Sequence, residues 1–263
     1  MMLLAFASHD SPQPCPLLRL PLELRQQIYN YILPATITCP TKAANGVVWR
    51  RGNTALLATS RRIHDEGTEI MYGHSMFVIN IGYDKIMFQY QWLVLPSGLA
   101  PSRAYPFLEH FPQKNIQRIK NYTINVRHED SYLGWIKYNC GGPGLTDGVR
   151  RQVQRLVDVL STAGDLHKVQ IRLSDGSNIL SEIRKVPVRA VQLEKNVAVT
   201  QTVLDPLRQL RGVRQVSITG AVLPEYAAAI ESEMASTAEG HSVRKAAKAG
   251  REWTYCMPGF APW

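Results

Sequence analysis

Acidic pairs are the first residues of this sequence whose type and spacing could do chemistry. Two carboxylates on one helix face can act as a general acid and a general base, and Glu66 and Glu69 have the required spacing. Arg62 precedes Glu66 by one helical turn, so we interpret this group as a solvated helix face with an ion pair. Glu129 and Asp130 are adjacent, but they follow a predicted strand, where a polar loop is expected. Neither pair predicts catalysis.

Phosphate binding, metal binding and nucleophilic catalysis would each need a motif that this sequence lacks. The glycine-rich run at residues 139–144 is not followed by the Lys and the Ser or Thr that complete a phosphate-binding loop. The cysteines form no CxxC pair and have no histidine at zinc-ligand spacing; they are Cys15, Cys39, Cys140 and Cys256. The histidines have no Ser or Cys partner in a local catalytic motif. We therefore predict no metal, no cofactor, no catalytic residue and no enzymatic activity.

The composition indicates a globular protein, because 45% of the 263 residues are hydrophobic and 19% are charged. The net charge of +9 permits an acidic partner without identifying one. The apolar stretch at residues 1–7 is short and lacks a basic leader, and the stretch at residues 86–95 is shorter than the roughly 20 residues that span a bilayer. We expect no signal peptide and no membrane partner, and therefore an intracellular protein of the cytoplasm or the nucleus.

The first element that could position a functional surface is a helix at residues 17–33. Pro21 suits its first turn, where an N–H group would have no partner in any case. Leu24, Ile28 and Ile32 recur at every fourth position and form an apolar stripe. Polar residues occupy the other face, so the helix is amphipathic.

A second helix is predicted at residues 55–72, with Asn53 or Thr54 as its cap. Its apolar stripe has members seven positions apart, which are Leu56, Ile63 and Ile70. Gly67 lies on the same stripe, which makes it narrow and suited to close packing against another helix. Apolar residues then alternate with smaller or polar ones at residues 77–81, a pattern typical of a short strand.

A repeated spacing organises the second half of the chain. Ile124, Ile171 and Ile218 are 47 residues apart in segments of the same apolar pattern, so we predict three strands of one sheet. Helical patterns precede the second and third strands and follow the third, at residues 149–160, 203–210 and 223–234.

This alternation of strands and helices predicts parallel strands with right-handed crossovers. The predicted fold class is α+β or α/β. An N-terminal helical pair precedes an open or gently curved, mainly parallel sheet with crossover helices. A short leucine-rich-repeat-like arc is the alternative.

Three segments carry a resemblance to a known family. The run LPLELRQQIYNYIL at residues 20–33 resembles the start of an F-box. The run ALLATSRRIHDEGTEIMY at residues 55–72 is similar to the large fungal family of F-box-like domains of unknown function. The run FLEHFPQKNIQRI at residues 107–119 resembles the short helix and turn that lead into the first strand in that family.

The resemblance implies a role in ubiquitin transfer. An F-box docks on a Skp-type adaptor of a cullin-RING ubiquitin ligase, and the domain that follows it holds the protein substrate. Five residues match the family positions that would form the adaptor-facing patch: Leu20, Pro21, Leu24, Ile28 and Ile32. The sequence departs from the ordinary F-box after Leu33, where a loop rich in Pro, Thr and Gly replaces a compact set of short helices.

Four regions follow from these patterns. They are a flexible N-terminus (1–16), an F-box-like helical region with a short strand (17–82), an α/β recognition region (83–240) and a basic, aromatic tail (241–263).

The predicted function is a noncatalytic protein-interaction module, a substrate-recognition adaptor of a cullin-RING ligase. Two alternatives stay open. The arginines could form a surface for nucleic acid, although charge runs are usually solvated, so we do not expect this partner. The same apolar residues of the first helix could simply pack it onto the second helix, in a stand-alone structural domain that binds no Skp-type adaptor.

Overall fold

The computed structural model describes residues 15–39, 46–94, 98–128, 143–175 and 197–236. Most of the predicted flexible N-terminus and the whole predicted tail lie outside these residues, as do Cys140, Cys256 and the pair Glu129 and Asp130. No helix within the described ranges is long and apolar enough to cross a membrane.

A six-stranded open sheet forms the centre of the fold. The strands, numbered in chain order, are β1 (Ala35–Thr38), β2 (Val47–Arg50), β3 (Met76–Ile81), β4 (Ile86–Tyr90), β5 (Leu93–Val94), β6 (Gly98–Leu99), β7 (Arg103–Pro106), β8 (Asn121–His128), β9 (Lys168–Asp175) and β10 (Gln215–Gly220). The order in the large sheet is β10-β9-β8-β3-β4-β7, while β1 pairs with β2 and β5 with β6. Strands β10, β9, β8 and β3 are parallel, and β4 is antiparallel to both β3 and β7. The protein is therefore a mixed α and β fold with an open, mainly parallel sheet.

The regular spacing of three isoleucines is confirmed as a strand repeat. Ile124 of β8 lies opposite Ile171 of β9, which in turn lies opposite Ile218 of β10. All three side chains are buried. The equal spacing therefore places equivalent apolar residues in one row across the parallel part of the sheet.

The helices lie before, between and after these strands. The α-helices are α1 (Leu22–Ile32), α2 (Arg61–His74), α3 (Phe107–His110), α4 (Gln113–Ile116), α5 (Pro143–Leu160) and α6 (Pro224–Ala235). The predicted helices before β9 and after β10 are confirmed as α5 and α6. The helix predicted at residues 203–210 is a 3-10 helix at Gln201–Gln209, and Pro206 inside it has no N–H for an α-helical hydrogen bond.

The second predicted helix is divided in two. A 3-10 helix at Thr54–Ala58 precedes α2, and the Asn53 side chain caps it, as predicted, by accepting a hydrogen bond from the Ala55 N–H (2.9 Å). The prediction of one continuous helix was wrong at Ser60, whose Oγ accepts from the Ile63 N–H (3.2 Å) and caps α2. A Ser side chain competes for backbone groups in this way and favours a helix start over a helix interior.

Close packing joins α2 to the elements before it. A Cβ atom at Gly67 would lie 2.5 Å from Leu57 Cδ2 and 3.2 Å from Leu33 Cδ1, so only glycine lets these side chains approach the α2 backbone. After α2, strand β3 pairs with both β4 and β8. The predicted regions 17–82 and 83–240 therefore share one sheet and one hydrophobic core.

Candidate functional site

The inward face of α1 is held by a buried ion pair. The Arg25 guanidinium donates two hydrogen bonds to the Glu66 carboxylate of α2, from Nε to Oε2 (2.8 Å) and from Nη2 to Oε1 (2.7 Å). Arg25 is only 3% exposed. A bidentate pair of this kind fixes orientation as well as distance, because both planar groups must align.

Tyr29 completes this network. It lies one turn after Arg25, is fully buried, and donates from its hydroxyl to Glu66 Oε2 (3.0 Å). The Arg25 hydrogen bonds are the main cause that lowers the pKa of Glu66 to about 2, with Arg62 and Tyr29 adding to the effect. Burial, followed by the hydrogen bond to Glu66, raises the pKa of Tyr29 to about 12. At neutral pH the network therefore holds a charged carboxylate, a charged guanidinium and a neutral phenol.

The C-terminal end of α1 is also fixed. Arg50 Nη2 of β2 donates to the backbone oxygens of Asn30 (2.6 Å) and Tyr31 (3.2 Å). The Asn53 N–H donates to the Ile32 oxygen (2.8 Å). These donors satisfy carbonyls that the helix leaves unpaired, and the positive charge suits the negative end of the helix dipole.

With its inward face fixed, α1 turns its apolar stripe outward. Leu24 is 45% exposed, Pro21 is exposed, and Leu20, Ile28 and Ile32 are each half-buried. The five residues predicted to form an adaptor-facing patch therefore remain partly or largely accessible.

One further apolar residue extends this surface. Tyr31 is 82% exposed and lies three residues after Ile28 and seven after Leu24, which places it on the same helix face. We call the exposed apolar surface of Leu20, Leu24, Ile28 and Tyr31 the α1 stripe.

The structure corrects two interpretations of the sequence. The side chains that pack α1 into the protein are Arg25, Tyr29 and Leu33, and Leu24 is not among the buried residues. Arg25, Tyr29 and Leu33 also recur at every fourth position. Because Arg25 is charged, the sequence pattern predicted that this face of the helix is exposed to solvent. Glu66, interpreted as part of a solvated face, is the acceptor that compensates this charge.

Other predicted groups on α2 have ordinary surface roles. Arg62 Nε donates to Glu66 Oε1 (2.9 Å), as the spacing predicts. Glu69 pairs with Lys120 (2.8 Å) and Asp65 with Arg118 (3.3 Å), so neither carboxylate is placed for acid–base work with Glu66.

A concave region, separate from the α1 stripe, lies beside the N-terminal half of α5. It is an open cleft of about 650 Å³ lined by Tyr83, Gly144, Asp147, Arg150, Arg151, Gln154 and Pro206. Nearby, His128 at the end of β8 contacts Thr146 Oγ1 through Nε2 (3.1 Å), and burial lowers the pKa of His128. No group of three His, Cys, Asp or Glu side chains that could hold a metal occurs in the part of the chain that the structure describes.

Several of the arginines considered for nucleic-acid binding are engaged within the protein. Arg150 pairs with Asp205 (3.5 Å), Arg214 with Asp165 (3.1 Å), and Arg208 with both Asp205 and Glu233. Pairing of this kind reduces the positive potential that these side chains offer to a phosphate backbone.

A comparison of the chain with protein-family models, with curated proteins and with solved structures finds no match.

Proposed function

We propose that this chain is a noncatalytic protein-interaction module whose α1 stripe docks on a Skp-type adaptor of a cullin-RING ubiquitin ligase. The observation that carries the proposal is the exposed stripe on a helix whose opposite face is fixed by Arg25, Tyr29 and Glu66. On this proposal, α1 and α2 are the F-box-like pair, and the sheet that follows is the substrate-recognition region.

The physical argument is that folding leaves the stripe available. Burying a Leu or Ile side chain contributes about 1.5 to 3 kcal/mol, and Leu24, which is 45% exposed, leaves nearly half of its surface for a partner to bury. Apolar residues at i, i+4 and i+7 of an amphipathic helix are the anchors that a hydrophobic groove on a partner recognises. Leu24, Ile28 and Tyr31 have this spacing.

The fixed orientation of α1 supports the same proposal. Because the bidentate pair of Arg25 and Glu66 holds the helix in one rotation, the stripe is presented without a rearrangement on binding. A preorganised surface loses less conformational entropy when it binds, which favours affinity.

Co-purification with the adaptor tests the proposal. The full chain with an affinity tag is co-expressed with a Skp-type adaptor, as the native sequence and as two variants. Leu24→Glu places a charge in the stripe, whereas Leu223→Glu changes an equally exposed leucine, 42% accessible, at the start of α6. We expect Leu24→Glu to weaken adaptor binding by at least about tenfold, because a charge in an apolar interface is left without a partner.

The control separates binding from folding. Both variants should melt within a few degrees of the native chain, since exposed substitutions seldom change stability much. If the native chain captures no adaptor, or if both variants capture it equally well, the ligase proposal is wrong. The chain is then a stand-alone structural domain.

A further inference from the structure

One face of the large sheet is polar along β8, β9 and β10, and Asn80 and Gln89 continue it into β3 and β4, where the buried Val78 and the half-buried Met87 lie on the same face. In β8, Tyr122, Ile124 and Val126 are buried, whereas the alternate residues Thr123 and Asn125 are half-buried. β9 repeats the pattern, with Val169, Ile171 and Leu173 buried. The buried residues of the helices join the core cluster that contains these apolar strand residues. We call the other side, which carries Asn80, Thr123, Asn125, Gln170 and Arg172, the polar face.

A chain of side-chain hydrogen bonds crosses this face. Asn125 Nδ2 donates to Asn80 Oδ1 (2.8 Å), Asn80 donates to Gln89 Oε1, and Gln89 Nε2 donates to Ser102 Oγ (2.8 Å). The chain joins β8, β3 and β4 and reaches the residue before β7. Linked amides of this kind hold each other in place, so the surface is ordered before any partner arrives.

Such a face is unusual for parallel strands. Parallel sheets are generally covered on both faces, and their strands then read as continuous hydrophobic runs. Where parallel strands carry helices on one side only, as in solenoid proteins, the uncovered strand face commonly serves as an extended binding surface. The strict alternation in β8 and β9 therefore indicates a face kept polar for contact with water or with a partner.

The charges on this face have one sign. Arg127, Lys168 and Arg172 are its charged strand residues, and no acidic residue occupies a polar-face position in the described strands of the large sheet. Arg127 and Arg172 are exposed, and within the described part of the chain neither has an ion-pair partner. This contrasts with Arg150 and Arg214, which are paired internally. Two exposed guanidinium groups on one face are complementary to an acidic ligand.

We propose that the polar face binds an acidic segment of a partner protein, with Arg127 and Arg172 contacting its carboxylates. The inference rests on the proposed function in one respect, since it identifies this segment as the substrate of the ligase. A protein segment fits better than nucleic acid, because single-stranded nucleic acids use aromatic side chains as stacking platforms. No aromatic residue occupies the polar face in the described strands of the large sheet.

Selection from a displayed library of random linear peptides tests this proposal on the purified full chain. Two double variants remove the same charge from different sides of the protein. Arg127→Gln with Arg172→Gln changes the polar face, and Arg151→Gln with Arg155→Gln changes exposed residues of α5. We expect enrichment of peptides rich in Asp and Glu, and at least about tenfold weaker binding of those peptides to the polar-face variant. The α5 variant should bind them as the native chain does.

Several outcomes would overturn the inference. These are a failure to enrich any peptide, enrichment without a bias toward Asp and Glu, equal binding to the native chain and the polar-face variant, or loss of binding in the α5 variant. Stronger competition by single-stranded DNA than by the enriched peptides would favour nucleic acid instead. Adaptor co-purification is measured on the same polar-face variant and should be unchanged, so a failure here is distinguishable from a failure of the proposed function.

Discussion

Glu66 is the residue on which the orientation of α1 depends most directly. It accepts both hydrogen bonds from Arg25 and one from Tyr29. Replacing it with Gln leaves a buried guanidinium without its counter-charge. Hydrogen bonds to charged groups contribute about 1.5 to 3 kcal/mol, so we expect Glu66→Gln to lower the free energy of unfolding by about that amount at pH 7. Urea unfolding of the variant beside the native chain measures it.

The loss of stability in Glu66→Gln should depend on pH. The folded pKa of Glu66 is about 2, below its ordinary value of 4.5, so its contribution is fully present above about pH 4.5. The contribution is lost as the pH falls through the folded pKa. The stability difference between the native chain and Glu66→Gln should therefore shrink between pH 4.5 and pH 2. A stability difference that is constant with pH would contradict this role for Glu66. So would a loss in the free energy of unfolding for Arg62→Ala that is as large as the loss for Glu66→Gln.

Individual residues were the part of the site that sequence patterns predicted least well. The stripe of Leu24 and Ile28 was visible, because its period and its apolar side chains are explicit in the sequence. Which face of α1 is buried was not visible. Arg25 and Glu66 are 41 positions apart, and only the fold shows that they compensate each other.

At the scale of elements, two adjacent residues of β9 should differ in how much their truncation lowers the free energy of unfolding. Ile171 is 1% exposed and contacts the helix side, while Arg172 is exposed on the polar face. We expect Ile171→Ala to lower the free energy of unfolding by about 2 to 5 kcal/mol, because truncation leaves a cavity. Arg172→Ala should change it by less than about 0.5 kcal/mol. Chemical denaturation of the two variants is the measurement, and similar losses would show that both faces of β9 are covered.

The 47-residue spacing of apolar residues predicted the parallel strands β8, β9 and β10. The equal spacing of Ile124, Ile171 and Ile218 located three strands and their pairing. The hairpin of β1 and β2 and the strands β4 and β7 were not predicted, because strands of four or five residues depend mainly on the partner they pair with. The interruption of the helix at Ser60 was also not predicted, because the apolar residues keep a helical spacing on both sides of it.

At the scale of the whole molecule, the chain carries two separate surfaces on one core. The α1 stripe is apolar and belongs to a helix fixed by Arg25 and Glu66, whereas the polar face is basic and belongs to the sheet. Both elements share one core, because β3 follows α2 and pairs with β8. If both proposals hold, the chain would hold an acidic segment of a substrate at a fixed position relative to the ligase adaptor.

Photo-crosslinking at position 24 reports directly whether the α1 stripe contacts a Skp-type adaptor. A photoreactive phenylalanine analogue replaces Leu24 in one version of the full chain and Leu223, exposed to a similar degree, in another. Each is irradiated with a purified Skp-type adaptor, and the products are identified by mass spectrometry. We expect a covalent adduct with the adaptor from position 24 and none from position 223. The absence of an adduct at position 24, or equal adducts at both positions, would contradict the proposed docking of the α1 stripe.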